Sequence, residues 1–373
     1  MIRRAKAGLL HHIEVELFST TLPSSLHCSR QRLFITLSIL LALFMSGCDD
    51  TRRDLFDYAI DYERGRGGLV VDEVDVAGLR ISFLRSERFN PPRRSIDIDE
   101  QSSALDRENE DMRDETPREV IVLLHGFGGD KDNWVRLAAE LGSHYTLIIP
   151  DLPGHGDSSK DLALDYDLPQ QVIRLRNFLR TLGLTEFHLA GNSMGGAIAS
   201  LYAAQYPDQI ETLTLFNPAG IYDVESDFIK GLGEGNNALI IGSPDEFDEL
   251  IGYAMADPPF IPWPLKSVMA ERAAAQQDVL EKIYTDLSPE EPDYEFRDII
   301  RKIRSPTLVL WGALDRVIAQ GNAEAFTLLI PNARKFIFED AGHMPMLERP
   351  GKSAELMHGF ILNQARVAPA PAP

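Results

Sequence analysis

The pentapeptide GNSMG at residues 191–195 follows the short apolar run Glu186–Ala190 and precedes a small-residue segment that begins at Gly196. This order predicts a strand, a sharp turn and a helix, with Ser193 at the turn. Glycines beside such a turn permit close backbone contact, and the serine hydroxyl then projects from the edge of the sheet. The start of the helix directs backbone amides toward an anion that forms there. A bare G-x-S-x-G also occurs by chance. The prediction of a nucleophilic serine therefore depends on the predicted strand before the motif and the predicted helix after it.

Around this turn, short apolar runs alternate with helical segments, a pattern typical of an α/β fold with a mostly parallel sheet between helices. Two helices are predicted in this part of the chain, Leu168–Leu182 and Gly195–Tyr206. The predicted strands are Val120–Leu124, Thr146–Ile149, Phe187–Ala190, Thr212–Phe216, Thr307–Trp311 and Lys335–Phe338. Upstream, alternating residues at Leu69–Phe83 predict a β-hairpin that turns at Ala77-Gly78.

The segment between Phe216 and Thr307 has helical periodicity and no predicted strand. A block of this kind between two parallel strands predicts a helical cap over their carboxyl ends. The predicted helices of this cap are Ser243–Met255, Leu265–Leu287 and Asp293–Ile303. Its large apolar side chains are candidates for an acyl pocket and are equally suited to the core of the cap; they are Phe228, Phe247, Tyr253, Met255, Phe260, Trp263 and Met269.

The predicted domain organisation follows from these patterns. Residues 1–48 form a signal region, 49–67 a linker with a possible short helix at Leu55–Tyr62, 68–220 and 304–363 the core, 221–303 the cap, and 364–373 a low-complexity tail. Within the core, residues 90–119 are acidic and lack an apolar period, so we expect a solvated, mobile insert there.

A serine hydroxyl needs a neutral histidine as base and a carboxylate that fixes the tautomer of that histidine. In this kind of fold both partners follow the serine, with the acid first. Asp315 in WGALDRV follows one predicted strand, and His343 in AGHMP follows the next. We therefore predict Ser193, Asp315 and His343 as the catalytic triad.

Three other residues compete with Asp315 for the role of the acid. Asp340 and Glu348 lie too near His343 in sequence to reach its far nitrogen easily. Asn217 ends the predicted strand Thr212–Phe216 and supplies no carboxylate. Asp315 remains the prediction.

The glycine-rich loop HGFGG at residues 125–129 follows the strand Val120–Leu124. Such a loop lets a backbone amide approach the substrate carbonyl oxygen, so we predict the amides of Phe127 and Met194 as the oxyanion hole. Structural rather than catalytic roles are predicted for His125, His155 and His188.

The apolar run Leu33–Met45 is short for a membrane span and suits the core of a signal peptide. The sequence MSGC that ends at Cys48 resembles a bacterial lipobox, which predicts acylation of Cys48 and anchoring to a membrane of a bacterial cell envelope on its periplasmic side. An uncleaved anchor and an ordinary cleaved signal peptide are alternatives. About thirty residues precede the run, which is long for this class. Whether the membrane is the inner or the outer one stays open.

The formal net charge is -20, which argues against nucleic acid as a partner. The sequence has no P-loop, no Cys/His zinc pattern and no calcium loop, so neither a cofactor nor a metal is predicted. The predicted partners are a small acyl ester and a membrane, with no obligate protein partner.

The strings HGFGG, IIPDLPGHGDSSK, GNSMGGAIASLYAAQYP, WGALDRV and AGHMPMLE, together with the cap strings NALIIGSPDEFDELIGYAM and PPFIPWPLKSVMAERAAAQQDVLEKIYTDL, resemble bacterial lipases of family V. They are also similar to animal monoacylglycerol lipases. The resemblance implies an α/β-hydrolase fold, the same triad and hydrolysis of carboxylic esters, including glycerides, without a cofactor. Carbon-carbon bond hydrolysis or perhydrolysis by the same triad is an alternative, as is a catalytically silent, membrane-anchored binding protein.

Overall fold

The computed structural model describes residues 49–89, 118–287 and 294–365, and its centre is one sheet of eight strands. The strands are β1 (Leu69–Val76), β2 (Leu79–Ser86), β3 (Val120–Leu124), β4 (Thr146–Pro150), β5 (Phe187–Asn192), β6 (Ile210–Phe216), β7 (Thr307–Gly312) and β8 (Ala333–Phe338). Their order is β1-β2-β4-β3-β5-β6-β7-β8. β1 pairs antiparallel with β2 and β2 with β4, and all other pairs are parallel. The predicted α/β-hydrolase fold with a mostly parallel sheet is confirmed.

The helices lie between and after the strands. They are α1 (Asp49–Arg66), α2 (Val135–Leu141), α3 (Leu168–Thr181), α4 (Met194–Gln205), α5 (Asp227–Gly233), α6 (Phe247–Ala254), α7 (Trp263–Ala274), α8 (Gln277–Leu287), α9 (Tyr294–Ile300), α10 (Ala323–Leu329), α11 (Pro345–Glu348) and α12 (Pro350–Ala365). A one-turn 3-10 helix, Lys131–Trp134, precedes α2.

The core lies on both faces of the sheet because helices cover both. On β3, Val122 and Leu124 belong to the apolar cluster that contains residues of α3 and α4. Ile121 and Leu123 belong to the cluster that contains residues of α2 and α12. Successive strand residues point to opposite faces, so an unbroken apolar strand can supply two cores.

The predicted hairpin is formed by β1 and β2, with Leu69 opposite Ser86. Its two turn residues, Ala77 and Gly78, have φ values of 56° and 84°. Positive φ at both central positions is the geometry whose twist matches that of paired strands. β2 then pairs with β4 and extends the parallel sheet at that side.

Three helical predictions differ from the structure. α1 extends over most of the predicted linker, and Phe56 and Asp57 within it contact Arg272 of α7. These contacts join residues far apart in the chain, so local sequence periodicity could not predict them. The predicted helix Leu265–Leu287 is two helices, α7 and α8, and the short helix α5 was not predicted.

Helices α5 to α9 follow β6 and precede β7, in the part of the chain predicted as a cap. Of the large apolar side chains predicted for it, Phe228, Phe247 and Met255 are buried, Tyr253 and Met269 are partly buried, and Phe260 and Trp263 are exposed. From Leu55 onward the described residues form one compact unit. None of the helices in the described ranges has both the length and the apolar character needed to cross a bilayer. The predicted signal region and residues 90–117 of the acidic insert lie outside the described residues.

Candidate active site

Ser193 lies between β5 and α4 with φ of 53° and ψ of -120°, a strained conformation for a residue with a side chain. The neighbouring positions must be glycine, because a side chain at either one would collide with nearby backbone atoms. A Cβ on Gly191 would lie 2.2 Å from the carbonyl oxygen of Gly195, and a Cβ on Gly195 would lie 2.4 Å from that of Leu124. The turn therefore presents Ser193 at the carboxyl end of β5, where it is partly exposed.

His343 follows β8 and Asp315 follows β7, and the two side chains meet at this end of the sheet. The distance between His343 Nδ1 and Asp315 Oδ2 is 2.8 Å, and both residues are buried. An ionised carboxylate only accepts hydrogen bonds, so Nδ1 of His343 carries the ring proton and donates the hydrogen bond to Asp315. Nε2 of His343 is left as the acceptor, which is the tautomer that a general base requires.

Asp315 is held by hydrogen bonds from three further donors. Its Oδ1 accepts from the backbone N–H groups of Val317 and Ile318 at 2.8 and 2.9 Å. Its Oδ2 accepts from Asn217 Nδ2 at 2.5 Å. The carboxylate therefore has one orientation, with Oδ2 toward the imidazole.

Asn192 connects the histidine loop to the nucleophile turn. Its Nδ2 donates to the carbonyl oxygens of His343 at 3.0 Å and Phe216 at 3.1 Å. Since Asn192 directly precedes Ser193, this contact places the loop of His343 beside the serine. No hydrogen bond joins Ser193 to His343 in the described chain, and such bonds are often long before a substrate binds.

The loop HGFGG passes directly beside Ser193. A Cβ on Gly126 would lie 3.1 Å from Ser193 Cβ. Neither the amide N–H of Phe127 nor that of Met194 donates a hydrogen bond within the described residues. The Phe127 ring packs edge-on against Tyr284 of α8, with centroids 6.3 Å apart.

A cluster of charged residues follows this loop, in which Lys131 and Asp151 are buried and Asp157 is exposed. Lys131 Nζ donates to Asp151 Oδ2 at 2.8 Å and to Asp157 Oδ2 at 2.6 Å. Burial disfavours the charge on Lys131, but the attraction of Asp151 and Asp132 and the hydrogen bonds to Asp151 and Asp157 together outweigh it, and the pKa of the lysine is raised. These bonds fix the segment that leaves the glycine-rich loop to the turn after β4.

The three histidines for which structural roles are predicted, His125, His155 and His188, are buried in the core. His125 Nδ1 lies 2.8 Å from the Gly126 carbonyl oxygen, and its Nε2 accepts from the N–H of Leu152 at 2.9 Å. Burial lowers the pKa of His125 to about 4 and that of His155 to about 3. Burial also lowers the pKa of His188, which bonds Thr212 on the neighbouring strand. All three have contacts that suit the structural roles predicted for them.

The competing acids bind other groups. Asp340 Oδ2 accepts from Arg349 Nε at 2.7 Å. Both carboxylate oxygens of Glu348 accept from backbone amides, including the N–H of Gly342 at 2.9 and 3.0 Å. Neither of these two acids bonds the imidazole of His343.

Sequence reasoning missed the contributions of Asn192, Asn217 and Glu348 to the site. Asn192 and Asn217 both lie at the carboxyl ends of buried strands, and that position was the available signal. What they bond depends on loops more than 90 residues later in the chain. Across the described ranges, no group of histidine, cysteine, aspartate and glutamate side chains is suited to hold a metal ion.

Comparison with known proteins gives consistent matches. The model of the alpha/beta hydrolase family matches residues 121–356. The chain is 40% identical over 241 residues to Lipase 3 of Moraxella sp. (strain TA144), covering 63% of this chain and 75% of that one. It is 32% identical over 251 residues to monoacylglycerol lipase abhd6-B of Xenopus laevis, covering 65% and 74%.

A solved structure is also similar over most of the chain. The crystal structure of a membrane phospholipase A, a bacterial virulence factor, superposes with a TM-score of 0.74 at 33% identity. The match covers 91% of this chain and 100% of that one. The resemblance to bacterial and monoacylglycerol lipases that the sequence motifs indicated is confirmed.

Proposed function

The chain belongs to the alpha/beta hydrolase family and is a carboxylic ester hydrolase, and we propose that Ser193, His343 and Asp315 carry out its reaction. The observation that carries the proposal is the 2.8 Å contact between His343 Nδ1 and Asp315 Oδ2, in a loop bonded to the residue before Ser193. This contact leaves Nε2 of His343 unprotonated at the end of the sheet where Ser193 projects.

In the proposed mechanism, His343 Nε2 takes the proton of Ser193 as the serine oxygen bonds to the ester carbonyl carbon. The amides of Phe127 and Met194 donate hydrogen bonds to the oxyanion that forms. The imidazolium then protonates the leaving alcohol as its bond to carbon breaks. His343 next deprotonates a water molecule that attacks the acyl enzyme, which releases the acid and restores Ser193.

We propose acylglycerols as the substrates, on the basis of the named activities of the bacterial and monoacylglycerol lipases. A phospholipid ester is a second candidate, favoured by the similarity to the membrane phospholipase A over 91% of this chain. Both substrates present the same bond to Ser193. They differ in the group attached to the leaving oxygen.

A fluorophosphonate probe tests the nucleophile, because it phosphonylates an activated serine. We expect stoichiometric labelling at Ser193 and none in Ser193→Ala. Fatty acid release from a monoacylglycerol and from a phosphatidylcholine vesicle then separates the two substrate classes. Labelling at another residue, or ester hydrolysis by Ser193→Ala, would refute the proposed site.

We also propose that Cys48 is acylated and anchors the protein to a membrane of a bacterial cell envelope. The support is the sequence MSGC after the apolar run Leu33–Met45. Cells fed labelled palmitate should yield a labelled protein, and Cys48→Ala should abolish the label. An unlabelled wild type would refute the anchor and leave the proposed chemistry untouched.

A further inference from the structure

Glu348 ends the short helix α11 and is buried, although it is outside the triad. Its carboxylate accepts hydrogen bonds on both sides of His343 in the chain. The N–H of Gly342 donates to Oε1 at 2.9 Å and to Oε2 at 3.0 Å, and the N–H of Met344 donates to Oε1 at 3.2 Å. One side chain thus fixes the two residues that flank the histidine.

The same carboxylate also binds the cap segment that follows α6. Ala256 and Asp257 each donate their backbone N–H to Oε2 at 2.9 Å. Beside these bonds, the N–H of His343 donates to the carbonyl oxygen of Ala254 at 3.1 Å. The histidine loop and this edge of the cap are therefore joined at three cap positions, Ala254, Ala256 and Asp257.

This joint has little room for adjustment. A Cβ on Gly342 would lie 2.7 Å from the backbone nitrogen of Ala256 and 3.3 Å from Glu348 Oε1. Among the described residues no lysine, arginine or histidine forms an ion pair with Glu348. The carboxylate is bound by backbone N–H groups, and loss of an acceptor oxygen would leave partly buried N–H groups unsatisfied.

We propose that Glu348 is a positioning residue that holds the imidazole of His343 in line with Ser193 and couples that alignment to the cap. The inference rests on the proposed function, because the role of His343 as the base is part of that function. Glu348 itself contacts no reacting atom, and Asp315 alone fixes only one end of the imidazole. A displacement of a catalytic group by about 1 Å can cost about 100-fold in rate.

Glu348→Gln tests the proposal, because the amide keeps the shape of the side chain and replaces one acceptor oxygen by a donor group. Glu355→Gln is the matched control, since Glu355 lies on the adjacent α12, is exposed and pairs with Lys352. Wild type, both variants and Ser193→Ala are assayed with a p-nitrophenyl ester and with a fluorophosphonate probe. Urea unfolding of each variant checks that it folds.

For Glu348→Gln we expect kcat to fall about 100-fold and KM to stay within about twofold. The rate of probe labelling should fall in the same proportion, because phosphonylation of Ser193 also needs the aligned base. Glu355→Gln should match wild type. A folded Glu348→Gln variant with unchanged kcat, or with raised KM alone, overturns the positioning role.

If Glu348→Gln does not fold, Glu348→Asp takes its place, since it keeps the charge and shortens the reach by one methylene group. It should show a smaller fall in kcat, again at constant KM, and full activity overturns the proposal. Wild type and Ser193→Ala keep the two hypotheses apart. Inactive wild type or active Ser193→Ala refutes the proposed function, whereas active wild type with equally active Glu348 variants refutes only the inference.

Discussion

At the carboxyl end of the sheet, hydrogen bonds of 2.5–2.9 Å hold the buried Asp315 carboxylate, whereas in the cap Phe260 and Trp263 are 91% and 64% exposed. The cap's separate apolar cluster contains only Ile241, Phe247 and Ala270 as buried members. The carboxyl end of the sheet, where the proposed triad lies, is fixed by polar contacts between residues far apart in the chain. The cap contacts the rest of the chain through the joint at Glu348, through ion pairs such as Arg316–Asp227, and through apolar residues that belong to the main core cluster, such as Ile283.

This difference separates two requirements of catalysis. Proton transfer needs groups held within a fraction of an ångström, which buried hydrogen bonds provide. Selection of an acyl chain needs an apolar surface, which tolerates looser packing. We therefore expect substitutions at the sheet end to abolish turnover and those on the outer cap to leave it nearly intact.

The largest expected effect is that of Asp315→Asn. The amide can donate to Nδ1, which would place the imidazole proton on Nε2 and block the base. We expect kcat to fall about 10⁴-fold with the fold unchanged. The measurement is kcat with a p-nitrophenyl ester, and near-normal turnover would show that another residue orients His343.

Gly191→Ala and Gly252→Ala compare the same substitution in the two regions. At Gly191 the new methyl group would meet the Gly195 carbonyl oxygen at 2.2 Å, so we expect the free energy of unfolding to fall by about 3 kcal/mol or more. At Gly252, within α6, no atom lies within 4 Å of the new Cβ, and alanine should stabilise the helix by up to about 1 kcal/mol. Urea unfolding measures both changes, and equal changes would contradict the contrast.

The sheet could be predicted from sequence, and the triad could be proposed, because the signals of both are local. β3 has the predicted bounds Val120–Leu124, and Asp315 and His343 each follow a strand that hydrophobicity alone defines. The orienting contacts of Asn217 and Glu348 could not be predicted from the sequence, because each contact joins loops that come together only when the strands pair. The break between α7 and α8 was missed since helical periodicity continues across it.

A smaller effect should appear as pH falls. The pKa values of His125 and His155 lie near 4 and 3 in the folded protein, below the ordinary 6.5. Between those values the unfolded chain binds more protons, so the free energy of unfolding falls as pH drops below 6.5. The loss between pH 6.5 and pH 5 is about 2 kcal/mol for each histidine.

Urea unfolding at these two pH values measures the loss. His155→Gln should remove the share of the loss that belongs to His155, about 2 kcal/mol, while His125 and His188 keep theirs. A dependence that survives in His155→Gln at full size would mean that His155 is accessible to protons in the folded protein.

The smallest effect is expected for Phe260→Ala on the outer surface of the cap. The side chain is 91% exposed, so its removal should change the free energy of unfolding by less than about 0.5 kcal/mol. Phe228→Ala, which empties a buried position in the same cap, should cost about 3 kcal/mol and serves as the reference. If Phe260→Ala cost as much as Phe228→Ala, the aromatic ring would be covered in solution, and the contrast between a fixed sheet end and an open cap would fail.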